Sequence, residues 1–395
     1  MTQRKPLEGL RVLDMSQGIA GPSCAGHFAE FGADVVKIEP LEGDWMRPLG
    51  SRVGGTSPQA VTYNRGKQSL AIDLKTDRGR DVALKLAAGS HVAIESARPG
   101  VMQRLGLGFA DVKAVRPGIV YVSVSGFGQT GPMREAPLVD ALAQAKSGLM
   151  SVMRSREGAP VKMDATLIDA ITGLYAFQAA SMALWGRVPG AEAPLNEARH
   201  IDISLMQAAA HIQAPNILEW DYVGKPPGVL NPPAGNYRTK DGFLVLTTVN
   251  ETHYKGIFRA IGQPEIAADP RFATIAARKA NLAELRAIVD AALIQRTTAE
   301  WIAAFTKEGA LASAISTYGD WLADEHAKAV GAAPPYTFAN GETARIPHLP
   351  GQPPNTAPVP GIGEHSRQVL AGLGLPAAEI EALIAAGIVK CPSPA

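Results

Sequence analysis

A chain of 395 residues, 46% of them hydrophobic, exceeds what one ordinary core needs, so two domains are expected, with insertion of one into the other left open. Thirty-eight basic against 37 acidic residues leave a net charge of +1 with no basic tail or stripe, which disfavours nucleic acid as a partner. Two distant cysteines, Cys24 and Cys391, argue against a disulfide scaffold or zinc site, and the N-terminus carries no apolar signal segment; both point to a reducing cytoplasm.

In chain order, residues 10–15 read as a buried strand, 18–22 as a glycine turn, 23–31 as a helix and 34–38 as a second strand ending at Glu39. This is a right-handed βαβ unit, whose ligands bind at the carboxyl ends of the strands. Glu39 lies where a ribose-binding acid would, but Gly18 and Gly21 lack the full dinucleotide pattern. Residues 64–75 form a turn and a short strand carrying three cations, 76–86 an amphipathic helix, 91–95 a strand, and Arg98-Pro99-Gly100 a turn leading to Arg104. Cations repeated at turns and strand ends suggest an anion site, against the ordinary alternative of solvated surface. A complete G-x-G-x-x-G occurs at Gly126, Gly128 and Gly131 after the strand 119–124, but Pro132 denies it the helix that a dinucleotide site requires. His27 and His91 have no partner at ligand spacing and read as structural.

Residues 170–186 carry no charge and are apolar all round a helical period, so they predict a helix buried in the core and running on towards Arg187. Thr172, Gly173, Gln178 and Ser181 interrupt it, which speaks against a membrane span. Asp169 stands at the expected N-cap, where the free N–H groups and the helix dipole would keep it ionised. Two readings are open: a capping acid that contributes about 1 kcal/mol, or a carboxylate nucleophile. Gly173, costly inside a helix, implies close approach of another backbone or a ligand.

Beyond the loop at 189–199, residues 201–204 and a helix through Leu218 close the first domain, and the four-proline stretch 225–233 is a linker. A compact α/β piece follows, with a strand at 243–248 and helices near 253–261, 281–295 and 298–308. Residues 334–360 are extended and proline-rich, and a helix at 377–386 returns the chain to the first domain.

The segments 10–17, 20–22, 31–40, 64–67, 72–75, 98–106 and 125–132, with Asp169, Thr172 and Gly173, then Asp241-Gly242, 269–272, 363–365 and Val369-Leu370, together resemble the class III coenzyme A transferases. That group includes formyl-CoA transferase, carnitine CoA-transferase and, as racemising relatives, α-methylacyl-CoA racemase. The resemblance runs in order across nearly the whole chain.

It implies an α/β fold with a large Rossmann-like domain built from residues 1–220 and 326–395, a small α/β domain at 221–325, and an interlocked homodimer. It also implies transfer of CoA from an acyl-CoA donor, succinyl-CoA by family habit, to a small carboxylic acid, without nucleic acid, membrane or permanently bound cofactor. In the family the acid matching Asp169 attacks the thioester, giving an anhydride and then an aspartyl-CoA thioester. Gln17 matches an active-site residue and Asp140 an acidic position near the nucleophile; the alternatives are a strand-end amide and a loop acid. For CoA the resemblance points to Ile72, Lys75, Ser96, Ala97, Arg98 and Arg104.

Three departures qualify it. Many members have Asn-Phe where this chain has Ser96-Ala97, so an aromatic contact and an amide hydrogen bond are missing. The racemases carry His immediately before the acid matching Asp140, and Val139 stands there, removing one of the two bases that epimerisation needs. Residues 247–250 lack the glycine run that some transferases place over the nucleophile. Arg47, near Trp45, is a candidate partner for a second substrate carboxylate, or a solvent-facing loop arginine. An acyl-CoA racemase or isomerase, or a non-catalytic acyl-CoA-binding relative, is the alternative reading.

Overall fold

Short, mostly apolar runs bounded by turns build a central sheet, described in a computed structural model for residues 5–155, 158–185, 197–225 and 228–392. Arg187 and most of the 189–199 loop lie outside the described residues. The strands are β1 (Arg11–Met15), β2 (Asp34–Glu39), β3 (Gln68–Ile72), β4 (Val92–Glu95), β5 (Val120–Ser125), β6 (Arg199–Ser204) and β12 (Val389–Lys390). Their order is β12-β3-β2-β1-β4-β5-β6, parallel except where β12 pairs antiparallel with β3. Five of the six parallel strands are buried on both faces for most of their length, as expected of a sheet covered by helices on either side.

Helices α1 (Ala20–Glu30), α2 (Pro58–Asn64), α3 (Asp77–Gly89), α4 (Val101–Arg104), α5 (Phe109–Val115), α6 (Asp140–Lys146), α7 (Leu149–Val152), α8 (Leu167–Trp185), α9 (Leu205–His211) and α10 (Ala214–Val223) connect or extend these strands. One face of the sheet packs α1, α8 and α9 around Val12, Phe28, Ile94, Val122 and Ala176. The other packs α3 and α5 around Leu13, Leu70, Leu86 and Tyr121, together with α17 (Ser366–Gly372) and α18 (Ala377–Ala385) from the end of the chain. Strands β3-β2-β1-β4-β5-β6 have the order of a dinucleotide-binding fold although the turn after β1, with Gly18 and Gly21, lacks the full glycine fingerprint. The connections diverge on either side of β1 and β4, which opens a crevice at their carboxyl ends.

The chain divides into two compact units, residues 1–217 with 332–395, and residues 218–331. The second has an antiparallel sheet of β7 (Gly235–Arg238), β8 (Phe243–Thr247) and β9 (Leu311–Ala314). Around its core of Tyr237, Tyr254, Phe258 and Trp301 lie α11 (Glu251–Ala260), α12 (Ile275–Ala280), α13 (Leu282–Leu293) and α14 (Thr298–Lys307), followed by α15 (Tyr318–Ala323) and α16 (Glu325–Ala329). Residues 247–250 end β8 and begin α11, whose N-cap Asn250 accepts the His253 N–H at 3.0 Å. In the first unit the proline-rich stretch is not wholly extended: β10 (Pro335–Thr337) and β11 (Thr343–Arg345) form a hairpin that packs Tyr336 and Phe338 against Val61.

Helix α8 departs from the all-round burial that its composition predicts. Its small residues Thr172, Gly173, Ala176, Ala180 and Ala183 are buried, whereas Leu174, Met182 and Trp185 are exposed. Close packing explains the split. A Cβ on Gly173 would stand 2.7 Å from the Ala20 carbonyl oxygen of α1, so this glycine answers to a neighbouring backbone rather than to a ligand. By length and hydropathy α8 also reaches the range of a membrane span, but its small-residue face is seated on α1 and the sheet.

Candidate active site

Asp169 is the third residue of α8, inside its first turn and not its N-cap. The cap is Asp140, the first residue of α6: its Oδ2 accepts the main-chain N–H groups of Ile168 at 2.7 Å and Asp169 at 3.0 Å. Gln144, one turn along α6, donates from Nε2 to Asp140 Oδ1 at 2.6 Å and accepts the Met163 N–H on Oε1 at 3.0 Å, which fixes the loop leading into α8. The positive end of the α8 dipole is therefore already occupied by a carboxylate. Burial, reinforced by the negative charge of Asp140, pushes Asp169 up to about 7. Helix placement alone suggests an acid held ionised; the structure gives one balanced near neutrality.

Gln17 follows β1 directly, and its backbone is clamped to the end of β4. Ser96 Oγ accepts the Gln17 N–H at 2.9 Å and donates to the Gln17 carbonyl at 3.0 Å. Ser96 thus has a scaffold role of its own. The next residue, Gly18, has φ +83°, and a Cβ there would meet the Trp45 ring at 2.5 Å, so only glycine lets the indole lie over the turn. The Gly18 N–H donates to Asp44 Oδ1 at 3.0 Å. Gln17, Ser96, Asp140 and Asp169 line one cleft of about 450 Å³ at the divergence of β1 and β4, with Trp45, Ser125 and Thr166 in its wall. The three residues assigned to catalysis are brought together there.

A second cleft, of about 380 Å³, shares Gln17 and runs over the ends of β2 and β3, lined by Pro40, Ile72, Lys75, Val101 and Leu105. Ile72 is buried in its apolar floor, and Lys75 is exposed. Arg98 and Arg104 are exposed on the segment that follows β4, and Ala97 is half-buried with its N–H on Glu95 Oε2 at 2.8 Å. Ala97, Arg98 and Arg104 do not line either cleft. Lys75, Arg98 and Arg104 enter no ion pair among the described residues, which leaves three free positive charges near an apolar slot.

Other cations are committed to structure. Lys67 Nζ donates to Asp14 Oδ2 at 2.8 Å and Asn64 Oδ1 at 2.9 Å, and Lys37 Nζ lies 3.0 Å from Asp44 Oδ2. Arg47 holds Glu39 with two hydrogen bonds, 2.7 Å from Nε and 2.6 Å from Nη2, and gives Nη1 to the Pro360 carbonyl at 3.0 Å. Against the cost of burial, Lys37 and Lys67 hold Asp14 below the usual carboxylate range, and Arg47 does the same for Glu39. Burial lowers Lys67 to about 8, with Asp14 acting against it. Arg65 pairs with Glu30 at 3.4 Å. Of the three cations at 65–75, only Lys75 remains for an anion, and Arg47 is neither a loop arginine in solvent nor free for a substrate.

The remaining motifs are absorbed without chemistry. The His27 ring packs tilted against Phe177, with centroids 5.5 Å apart, and His91 Nδ1 accepts the Arg11 N–H at 3.0 Å. Gly126 to Gly131 form a loop with no helix until α6, and Gly126 lets Leu138 fold over the end of β5. Sequence reasoning missed Gln144, Thr166 and Tyr63. The Tyr63 phenol bonds Thr166 near the two acids; burial raises its pKa, and the charges of Asp169 and Asp140 act in the same direction. Its signal was available in the Ser57-Pro58 start of α2, where Ser57 Oγ caps the Ala60 N–H at 3.1 Å.

Comparison with known proteins bears on the family and the fold. Residues 7–366 match the model of CoA-transferase family III. A succinate–glutarate CoA-transferase of Agrobacterium fabrum is 31% identical over 393 residues, covering 94% of this chain and 97% of its own. A probable fatty acyl-CoA transferase of Mycobacterium tuberculosis is 31% identical over 328 residues, 80% of this chain and 83% of its own. Among solved structures, a CAIB/BAIF family protein from Brucella suis superposes with a TM-score of 0.81 at 29% identity, covering 94% of this chain and all of that one. The chain belongs to the class III CoA-transferases.

Proposed function

We propose that this enzyme moves CoA from an acyl-CoA to a free carboxylic acid through covalent acylation of Asp169. The observation that carries the reading is the position of Asp169: half-buried in the cleft that Gln17 also lines, with a carboxyl balanced near pH 7. A carboxylate in water is a weak nucleophile; one that has lost part of its hydration shell and lies beside a like charge is more basic and more reactive. Asp169 Oδ attacks the thioester carbonyl, the C–S bond breaks, and the CoA thiolate leaves behind an acyl-aspartyl anhydride. The thiolate then attacks the aspartyl carbonyl, releasing the first acid and forming an aspartyl-CoA thioester. The incoming carboxylate reverses the sequence, and Asp169 is regenerated with no net proton or electron change.

Gln17 lies where both clefts meet, and its side-chain amide is the proposed donor to the acyl oxygen as negative charge develops there. Lys75, Arg98 and Arg104 are the proposed partners of the CoA phosphates, with Ile72 beneath the adenine and Ser96-Ala97 forming the turn alongside. Epimerisation of an acyl-CoA is disfavoured because Val139, an aliphatic side chain, stands at the cleft where a second base is needed. The uncovered Leu174, Met182 and Trp185 of α8 support a homodimer, interlocked as in the family; light scattering in solution tests that state. Unpaired Cys24 and Cys391 fit a reducing compartment.

Exchange of isotope-labelled carboxylic acid into its unlabelled CoA thioester tests the reaction itself. Label entering the thioester, with total thioester conserved, supports transfer. Loss of thioester to hydrolysis without exchange contradicts it.

A further inference from the structure

The cleft around Asp169 also carries information about the acid. Its lining is mixed: Ile19, Trp45, Val124, Leu138, Val139 and Leu205 supply apolar surface, and Gln17, Ser96, Ser125 and Thr166 supply neutral polar groups. Ile19, Val124 and Leu205 are buried behind it, while Trp45 and Val139, at 54% and 57% exposure, stand at its mouth. Among the described residues, the two charged ones that line it, Asp140 and Asp169, are both acids. The cations packed below the β1 turn are saturated, Lys37 by Asp44, Lys67 by Asp14 and Arg47 by Glu39. Arg47, the residue best placed in sequence to meet a second substrate carboxylate, is spent on Glu39 and Pro360.

A dicarboxylic acyl group entering this cleft would set a third negative charge beside Asp140 and Asp169, with neutral side chains around it. Desolvation and like-charge repulsion both oppose that. An alkyl tail instead removes apolar surface from water at no electrostatic cost.

We propose that the acyl groups handled here are uncharged and apolar beyond the reacting carbonyl, with the side chains at Leu138 and Val139 making the distinction from dicarboxylic acids. The proposal rests on the reading of Asp169 as the acylated residue, and it turns away from the succinyl donor that family habit suggests.

The test compares two thioesters of equal shape, 4-methylpentanoyl-CoA and succinyl-CoA, each incubated with its own labelled acid, in the wild-type enzyme and in Val139→Lys. In the wild type, kcat/KM for the 4-methylpentanoyl pair should exceed that for the succinyl pair about tenfold or more, the scale of setting an unpaired charge beside like charges. Val139→Lys, which places a cation at the mouth, should shift this ratio towards succinyl-CoA by about tenfold. Equal or better use of succinyl-CoA by the wild type overturns the proposal, as does a ratio that Val139→Lys leaves unchanged. Failure of both thioesters to exchange, with no adduct at Asp169 from either, overturns the transferase reading itself and the proposal with it.

Discussion

Asp140 Oδ2 accepts the main-chain N–H of Asp169 at 3.0 Å, so one carboxylate caps the helix on which the other is presented. The cap and the proposed nucleophile are distinct residues, and the cap's charge tunes the nucleophile. Asp140→Asn keeps an acceptor oxygen for the helix but removes the charge. The acid limb of the pH–rate profile should move to lower pH, because the like charge that raises Asp169 is gone. The cost in stability should be about 1 kcal/mol, the scale of a weakened cap. An unmoved acid limb, measured as kcat/KM against pH, would remove Asp140 from this role.

In the wild type, transfer should fall as pH drops through about 7, where Asp169 takes up its proton. Stability has the opposite slope. The unfolded chain releases this proton near 3.8, whereas the folded chain keeps it up to about 7. Between those values the folded state binds more protons, so this group makes stability decline as pH rises, levelling off above 7. Glu95, also raised to about 7 by burial, contributes in the same sense, so a difference measurement is needed. Asp169→Asn should unfold at a higher temperature than the wild type at pH 8, and the gap should close towards pH 4; a constant gap would contradict the raised carboxyl.

Arg47→Met removes a guanidinium from the buried Glu39 while filling much of its space. Leaving that carboxylate unpaired should cost about 3–5 kcal/mol, read from urea midpoints. Since Arg47 does not meet substrate, kcat for the folded fraction should be little changed. A large rise in KM for the acid at unchanged stability would return Arg47 to the substrate site.

For CoA, Lys75→Ala and Arg104→Ala should each raise KM for the thioester about fivefold to fiftyfold at low salt, with kcat nearly unchanged, and the two effects should shrink as ionic strength rises. Equal KM values for these variants and the wild type would place the phosphates elsewhere.

The parallel sheet was legible because most of its strands are short apolar runs ending at a turn. α8 was legible as a helix, but the pattern of its apolar residues did not show that Ala176 and Ala180 would be buried while Met182 and Trp185 faced outwards. That division depends on how closely α1 approaches Gly173. Asp140 was visible only as a matching acid; its capping role joins residues 28 apart in sequence, and no local pattern announces it. The same holds for Lys67 and Asp14, 53 residues apart, whose pairing turned a suspected anion site into scaffold. β12, two residues long, has no periodicity to detect and exists because β3 offers it a free edge.

Peptide mass spectrometry after incubation with an acyl-CoA and hydroxylamine tests acylation of Asp169 most directly. A hydroxamate at Asp169, absent without thioester and accompanied by complete loss of exchange in Asp169→Ala, is the predicted result. An unmodified Asp169 in an enzyme that is turning over, or retained exchange in folded Asp169→Ala, would contradict it.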